Sequence, residues 1–229
     1  MSARRVLVSW SSGKDSAWAL HELRREPEHE LVGLLTSVNE AVDRVAMHGV
    51  RRTLLDAQAA ALGLPLWAVR LPWPCPNAVY EERHAAAFAR ARQQRVTHVA
   101  FGDLFLEDVR AYRIRQLQGT GIEPLFPLWQ PPDGTRGLAE RMLGAGLRAV
   151  LSCVDLKRLP EHFAGRAYDA RLLEDLPADV DPCGERGEFH TFCTAGPMFR
   201  EALRIRVGER VARDGFAFAD LEPIEALHS

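Results

Sequence analysis

The 229-residue chain predicts an α/β fold in which a doubly wound, parallel, five-stranded sheet is followed by a smaller C-terminal α+β domain. Three observations predict it. Short apolar runs alternate with helix-period segments from Arg4 to Phe126, the pattern of parallel strands joined by crossover helices. A polar turn, Ser11-Ser12-Gly13-Lys14-Asp15-Ser16, sits at the first strand-to-helix junction. After Pro127-Leu128-Trp129, the turn Pro131-Pro132-Asp133-Gly134 ends the alternation.

Arg4 to Ser9 reads as a buried strand, Trp10 to Lys14 as a loop, and Asp15 to Arg25 as a helix with Ala17, Leu20 and Leu23 on one face. Glu30 to Val38 is a second strand, Val50 to Leu62 an Ala/Leu-rich helix closed by Gly63, and Pro65 to Leu71 a third strand. Ala78 to Arg95 is a long helix, Val96 to Gly102 a fourth strand ending at Asp103, and Glu107 to Gln118 a helix closed by Gly119. Glu123 to Phe126 is the fifth strand. The boundary falls between Leu125 and Asp133, giving domains of residues 1–128 and 129–229. The second contains a helix from Thr135 to Ala145, a strand from Leu147 to Val154, and a loop-rich stretch from Leu159 to Pro182 with one short helix. Near its end Leu203, Ile205 and Val207 alternate with Arg204 and Arg206, which suits a half-exposed antiparallel strand.

Composition narrows the function. Hydrophobic residues at 47% and charged residues at 26% are those of a globular domain. The apolar run Val6-Leu7-Val8 is far too short for a signal-peptide core or membrane span, so a cytoplasmic location is expected, with no membrane partner. Cys75, Cys153, Cys183 and Cys193 show no Cys-x-x-Cys spacing and read as reduced thiols. A net charge of -2 makes nucleic acid an unexpected partner. A homodimer is compatible with the sequence. Of 29 basic residues only Lys14 and Lys157 are lysine, so a lysine here asks for a reason. A compact ammonium suits a tight phosphate cradle, where a guanidinium fork is too wide.

The turn from Ser11 to Ser16 combines a glycine, a lysine and hydroxyls where a helix N-terminus favours an anion, and Lys14 is expected in a solvent-reachable loop. It is not a Walker A loop, because Val8 stands where that motif has its first glycine and Asp15 follows Lys14. The alternative is a polar turn with Asp15 or Ser16 as helix N-cap. The second unusual segment runs from Pro182 to Phe192. Its glycines allow tight turns, Glu185 and Glu188 can hold magnesium or an amine, and His190 can hydrogen-bond or transfer a proton. A solvated turn leading into a strand is the plainer alternative.

Ser11 to Ser16 resembles the Ser-Gly-Gly-Lys-Asp-Ser signature of PP-loop ATP pyrophosphatases, with Ser12 in place of the central glycine. Taken with the acidic segment, nearly the whole chain resembles the ATP-binding family that includes diphthine ammonia ligase. Gly102-Asp103, Pro127-Leu128-Trp129 and Gly184 to Phe189 match that family's further blocks. Its diphthine ammonia ligases read Gly-Glu-Phe-Glu where this chain has His190 after Phe189, a form similar to the subgroup of organisms without diphthamide. The resemblance implies ATP at the N-terminal loop and a substrate between the domains. It implies a ligase that adenylates a small-molecule or protein-borne carboxylate, releasing pyrophosphate, before ammonia or an amine displaces AMP. The expected nucleotide set is Ser9, Trp10, Ser11, Ser12, Gly13, Lys14, Asp15, Ser16, Thr36, His48, Gly102 and Asp103. Asp15 and Asp103 are the expected Mg2+ ligands, and Lys14, Glu185, Glu188 and His190 the catalytic group.

Other residues keep two readings. Asp103 lies at the sheet edge where α/β ligands bind, but an aspartate there also caps helices. His48 lies on the same edge, and a lone histidine is as often structural. Arg110 and Arg113, three apart on one helix, face either an anion or solvent. Pro72 to Pro76 shapes a pocket or turns the chain. Two other classes compete: a PP-loop RNA-modifying or sulfur-transfer enzyme, which needs a persulfide cysteine or a docked RNA, and a non-catalytic adenine-nucleotide sensor.

Overall fold

The structure is a computed structural model describing residues 3–45 and 49–224. In chain order its first half contains β1 (Arg4–Ser9), α1 (Lys14–Arg25), β2 (His29–Asn39), β3 (Arg44–Val45), α2 (Arg52–Leu62), β4 (Leu66–Leu71), α3 (Asn77–Gln93), β5 (His98–Ala100), α4 (Glu107–Leu117) and β6 (Glu123–Leu125). β1 pairs in parallel with β2 on one side and β5 on the other. β4 adds to β2 and β6 to β5, again in parallel. The five expected strands are joined by a sixth, β3, which pairs antiparallel with Val38 and Asn39 at the end of β2. Two residues are too few to leave a periodicity.

The two-residue period of β1 separates two cores. Val6 and Val8 join Leu20 and Leu23 of α1 and Leu54, Leu55 and Leu62 of α2. Leu7 joins Phe88 and Ala91 of α3 and Leu117 of α4. α1 begins one residue earlier than expected, with Gly13 as N-cap, so Asp15 and Ser16 lie inside the first turn and neither caps the helix. α2 ends as expected at Gly63, whose left-handed φ of 66° closes it.

The second half contains α5 (Thr135–Gly144), β7 (Arg148–Asp155), β8 (Ala167–Tyr168), α6 (Ala170–Asp175), β9 (Phe189–Ala195), β10 (Ile205–Arg213) and β11 (Phe216–Pro223). Around β7, the neighbours β8, β9 and β11 all pair antiparallel, and β10 pairs with β11 at the edge. β10 lies further along the chain than the alternation at Leu203 to Val207 suggests. The first core does not stop at the first sheet. Leu138 and Met142 of α5, Leu151 of β7 and Phe192 of β9 belong to the same cluster as Val6 and Leu20.

Candidate functional site

The turn after β1 and the segment after Pro182 face each other across a cavity of about 240 Å³. Ser9, Ser11, Gly13, Lys14, Asp15 and Ser16 line one side, Gly102 and Asp103 another, and Glu185 and His190 a third. Trp10, Ser12, Thr36 and Glu188 are not on its wall. His48 lies outside the described residues.

The turn is held from behind. Ser12 adopts a left-handed φ of 70°, a conformation that glycine takes at no steric cost. Its carbonyl accepts the Cys193 N–H at 2.9 Å and Gln58 Nε2 at 3.0 Å, so β9 and α2 fix the turn's shape. Trp10 contributes structure: its buried indole donates to Gln58 Oε1 at 3.0 Å. The Lys14 N–H donates to Thr191 Oγ1 at 3.0 Å, which ties the start of α1 to β9. Gly102 is needed for close approach, since a Cβ there would stand 2.9 Å from backbone atoms of Asp15 and Ser16.

Lys14 corrects an expectation. Far from lying in a solvent-reachable loop, it is 1% exposed on the first turn of α1. Its ammonium donates to both Asp15 oxygens, at 2.9 and 2.8 Å, and to the Cys183 carbonyl. Burial works against its charge, but Asp15 and then Cys183 and Glu185 outweigh burial and hold the Lys14 pKa above the ordinary lysine value. Lys14 therefore bridges the two loops as a cation.

In the acidic segment the two glutamates divide. Glu188 is buried, and its two oxygens accept the N–H groups of Asp181 at 3.0 Å and Arg186 at 2.9 Å. Expected to touch ligand, it instead holds its own loop closed. Glu185 reaches the cavity and accepts the Leu104 N–H at 2.7 Å. Burial raises its pKa from 4.5 to about 7. Burial, with the Lys14 charge adding to it, pushes the His190 imidazole down to about 4, so it is neutral at physiological pH. Gly184 makes the turn possible, having φ of 70° and only 2.8 Å between a notional Cβ and the Phe189 carbonyl.

Three residues of this site carry no distinctive motif. Arg113 of α4 lines the cavity and donates from Nε to Asp103 Oδ2 at 3.2 Å, which decides for that residue between anion and solvent. Arg110 instead lies over the rings of Phe126 and Trp129. Thr191 lines the cavity from β9. Gln58 is wholly buried. Its spacing of four from Leu54 and Leu62 is the one sequence signal that could have found it.

A mostly parallel sheet with a polar strand-to-helix turn opening on a cavity at the strands' carboxyl ends defines an α/β protein with a candidate ligand site. The diphthamide synthase N-terminal domain matches residues 4–121 and the diphthamide synthase C-terminal domain residues 135–224. The chain belongs to this family, the PP-loop family of the diphthine–ammonia ligases. Among its relatives is the diphthine–ammonia ligase of Mus musculus, 24% identical over 238 residues, which cover 94% of this chain and 88% of that protein. Another is that of Homo sapiens, 24% identical over 252 residues, covering 97% and 91%. That of Danio rerio is 25% identical over 239 residues, covering 94% and 91%. Among the described residues no helix is long and apolar enough to cross a membrane.

Proposed function

We propose that the chain is an ATP-dependent, amide-forming ligase of the diphthine–ammonia ligase kind, built on a doubly wound PP-loop domain of residues 1–128 with a substrate domain of residues 129–229. The carboxylate of a small-molecule or protein-borne substrate attacks the α-phosphorus, and pyrophosphate leaves. Ammonia or an amine then attacks the acyl carbon of the adenylate, and AMP leaves. The observation that carries this is the meeting of the phosphate-type turn and the Glu185 segment on one cavity, joined by Lys14.

The start of α1 and the charge of Lys14 favour the phosphates, and they stabilise the charge that builds on departing pyrophosphate. A partly open cavity of about 240 Å³ leaves room for the phosphate end of a nucleotide with the remainder extending beyond it. The hydroxyls of Ser12 and Thr36 are buried with no hydrogen-bond partner among the described residues, which suits a polar ligand or water nearby. Glu185, half ionised near neutral pH, is suited to take the proton that attacking ammonia loses. His190, uncharged, is suited to orient the nucleophile or the acyl group. Magnesium fits this site: Asp15 and Asp103 line one cavity, and this ion is commonly held by one or two carboxylates together with substrate phosphates. Those two residues would hold it, and it would neutralise phosphate charge.

Four free cysteines support a reducing compartment such as the cytoplasm. Burial also keeps the thiols of Cys153, Cys183 and Cys193 at about 12, which counts against the persulfide chemistry of a sulfur transferase. The test is to incubate the protein with ATP, magnesium, an ammonium salt and candidate carboxylates, diphthine-bearing protein among them. AMP and pyrophosphate are the expected products. ADP and phosphate alone would reject the mechanism, and retained nucleotide with no turnover under any pairing would favour the sensor.

A further inference from the structure

The cavity's two permanent cations differ in what they have left to give. The Lys14 ammonium has three N–H donors, and three acceptors already take them: the two Asp15 oxygens and the Cys183 carbonyl. Aromatic rings close the space around it, with the ring centres of Tyr168 at 5.3 Å and Phe189 at 5.5 Å. A phosphate oxygen can hydrogen-bond this ammonium only by displacing one of those partners. Arg113 is the opposite case. A guanidinium has five N–H donors. One of them, on Nε, reaches Asp103, and among the described residues the two terminal nitrogens meet no acceptor. The group lies 5.0 Å over the ring of Phe101, a contact that fixes the plane of the fork without using a donor.

We infer that Arg113 is the residue whose guanidinium hydrogen-bonds the phosphate oxygens of the nucleotide, while Lys14 acts on them through its charge alone. The inference rests on the ATP-binding function proposed above and assigns to α4 a task expected of the turn. A planar fork matches two phosphate oxygens at once, and α4 carries it to the wall formed by Gly102 and Asp103. Arg113 thus touches the phosphates directly, and Asp103 is its positioning residue. Asp103, by accepting from Nε, orients the fork and leaves its terminal donors free.

The test is titration calorimetry of wild type, Arg113→Gln and Arg113→Lys with magnesium ATP and, separately, with inorganic pyrophosphate. Arg113→Gln is expected to weaken ATP binding by about 10- to 100-fold, the scale of losing hydrogen bonds to a charged group. Arg113→Lys keeps the charge and loses the fork, and falls between the two. It also decides the matter should the glutamine variant fail to fold. A loss that extends to pyrophosphate puts Arg113 on the leaving group, and one confined to ATP puts it on the α-phosphate; both support the inference. If all three proteins bind ATP equally, the inference is overturned and the ligase function stands. If wild type binds no ATP, both fall together.

Discussion

Glu185 carries a pKa of about 7 because burial disfavours its charge more than the Leu104 N–H favours it. The sign of the consequence follows from proton counts. Between about pH 4.5 and about pH 7 the folded chain holds a proton that the unfolded chain has released, so this residue's contribution to stability falls as pH rises through that window. Glu185→Gln keeps an acceptor for Leu104 and removes the ionisation. The variant's melting temperature is expected to match wild type near pH 5 and to exceed it near pH 8. A gap that stays constant between those two values would mean that folding does not raise the Glu185 pKa. His190 behaves differently: with its pKa near 4 it stays neutral through the same window. A break near 7 in the pH profile of activity that disappears in Glu185→Gln would belong to Glu185.

At the scale of elements, what strand and helix periodicity can signal was largely legible, and what tertiary packing dictates was not. β1, α1, β2 and α2 follow their apolar spacing, with ends one or two residues from those expected. β9 escapes because six of its seven residues are buried, which erases the alternation of a half-exposed strand, and because the glycines and carboxylates before it read as a ligand loop. The turn at Ser11 to Ser16 was legible as a motif. The inward direction of Lys14 was not, since its partners Asp15 and Cys183 include one 169 residues away. Gly102 lies between these cases: visible as a strand end, it shows its reason only in the contact with α1. Gly102→Ala would drive a methyl to 2.9 Å from the Asp15 and Ser16 backbone. Neither neighbour is a flexible side-chain end, so α1 must shift, at a cost of about 1–3 kcal/mol. The expected outcome is a lower melting temperature together with weakened ATP binding. A variant that melts and binds like wild type would show that β5 and α1 can separate freely.

At the scale of the whole molecule, the two halves are joined by polar contacts laid over a shared core. Gln58 donates to Ser12 of the turn and to Cys193 of β9, at 3.0 and 2.7 Å, and Glu185 accepts from Leu104. The Arg200 N–H reaches the Ala61 carbonyl at 2.8 Å, and Arg44 and Arg51 both pair with Asp220. Lys14 is the buried charged member of these joints. Lys14→Met replaces it with an apolar chain of similar length, but leaves the Asp15 carboxylate without its counter-ion and the Cys183 carbonyl without its donor. Breaking one side of a buried pair costs about 3–5 kcal/mol, and the partial exposure of Asp15 puts the expected loss at the lower end. Because one hydrophobic cluster runs through both halves, that loss should appear as a single cooperative transition at lower temperature, not as the melting of one half alone. Adding Asp15→Asn removes the stranded charge, so the double variant is expected to recover much of the melting temperature without recovering nucleotide chemistry. Calorimetric melting of the single and double variants checks this. Two separated transitions would show that the shared apolar cluster does not couple the halves, and a double variant no more stable than Lys14→Met would show that the loss does not come from the stranded Asp15 charge.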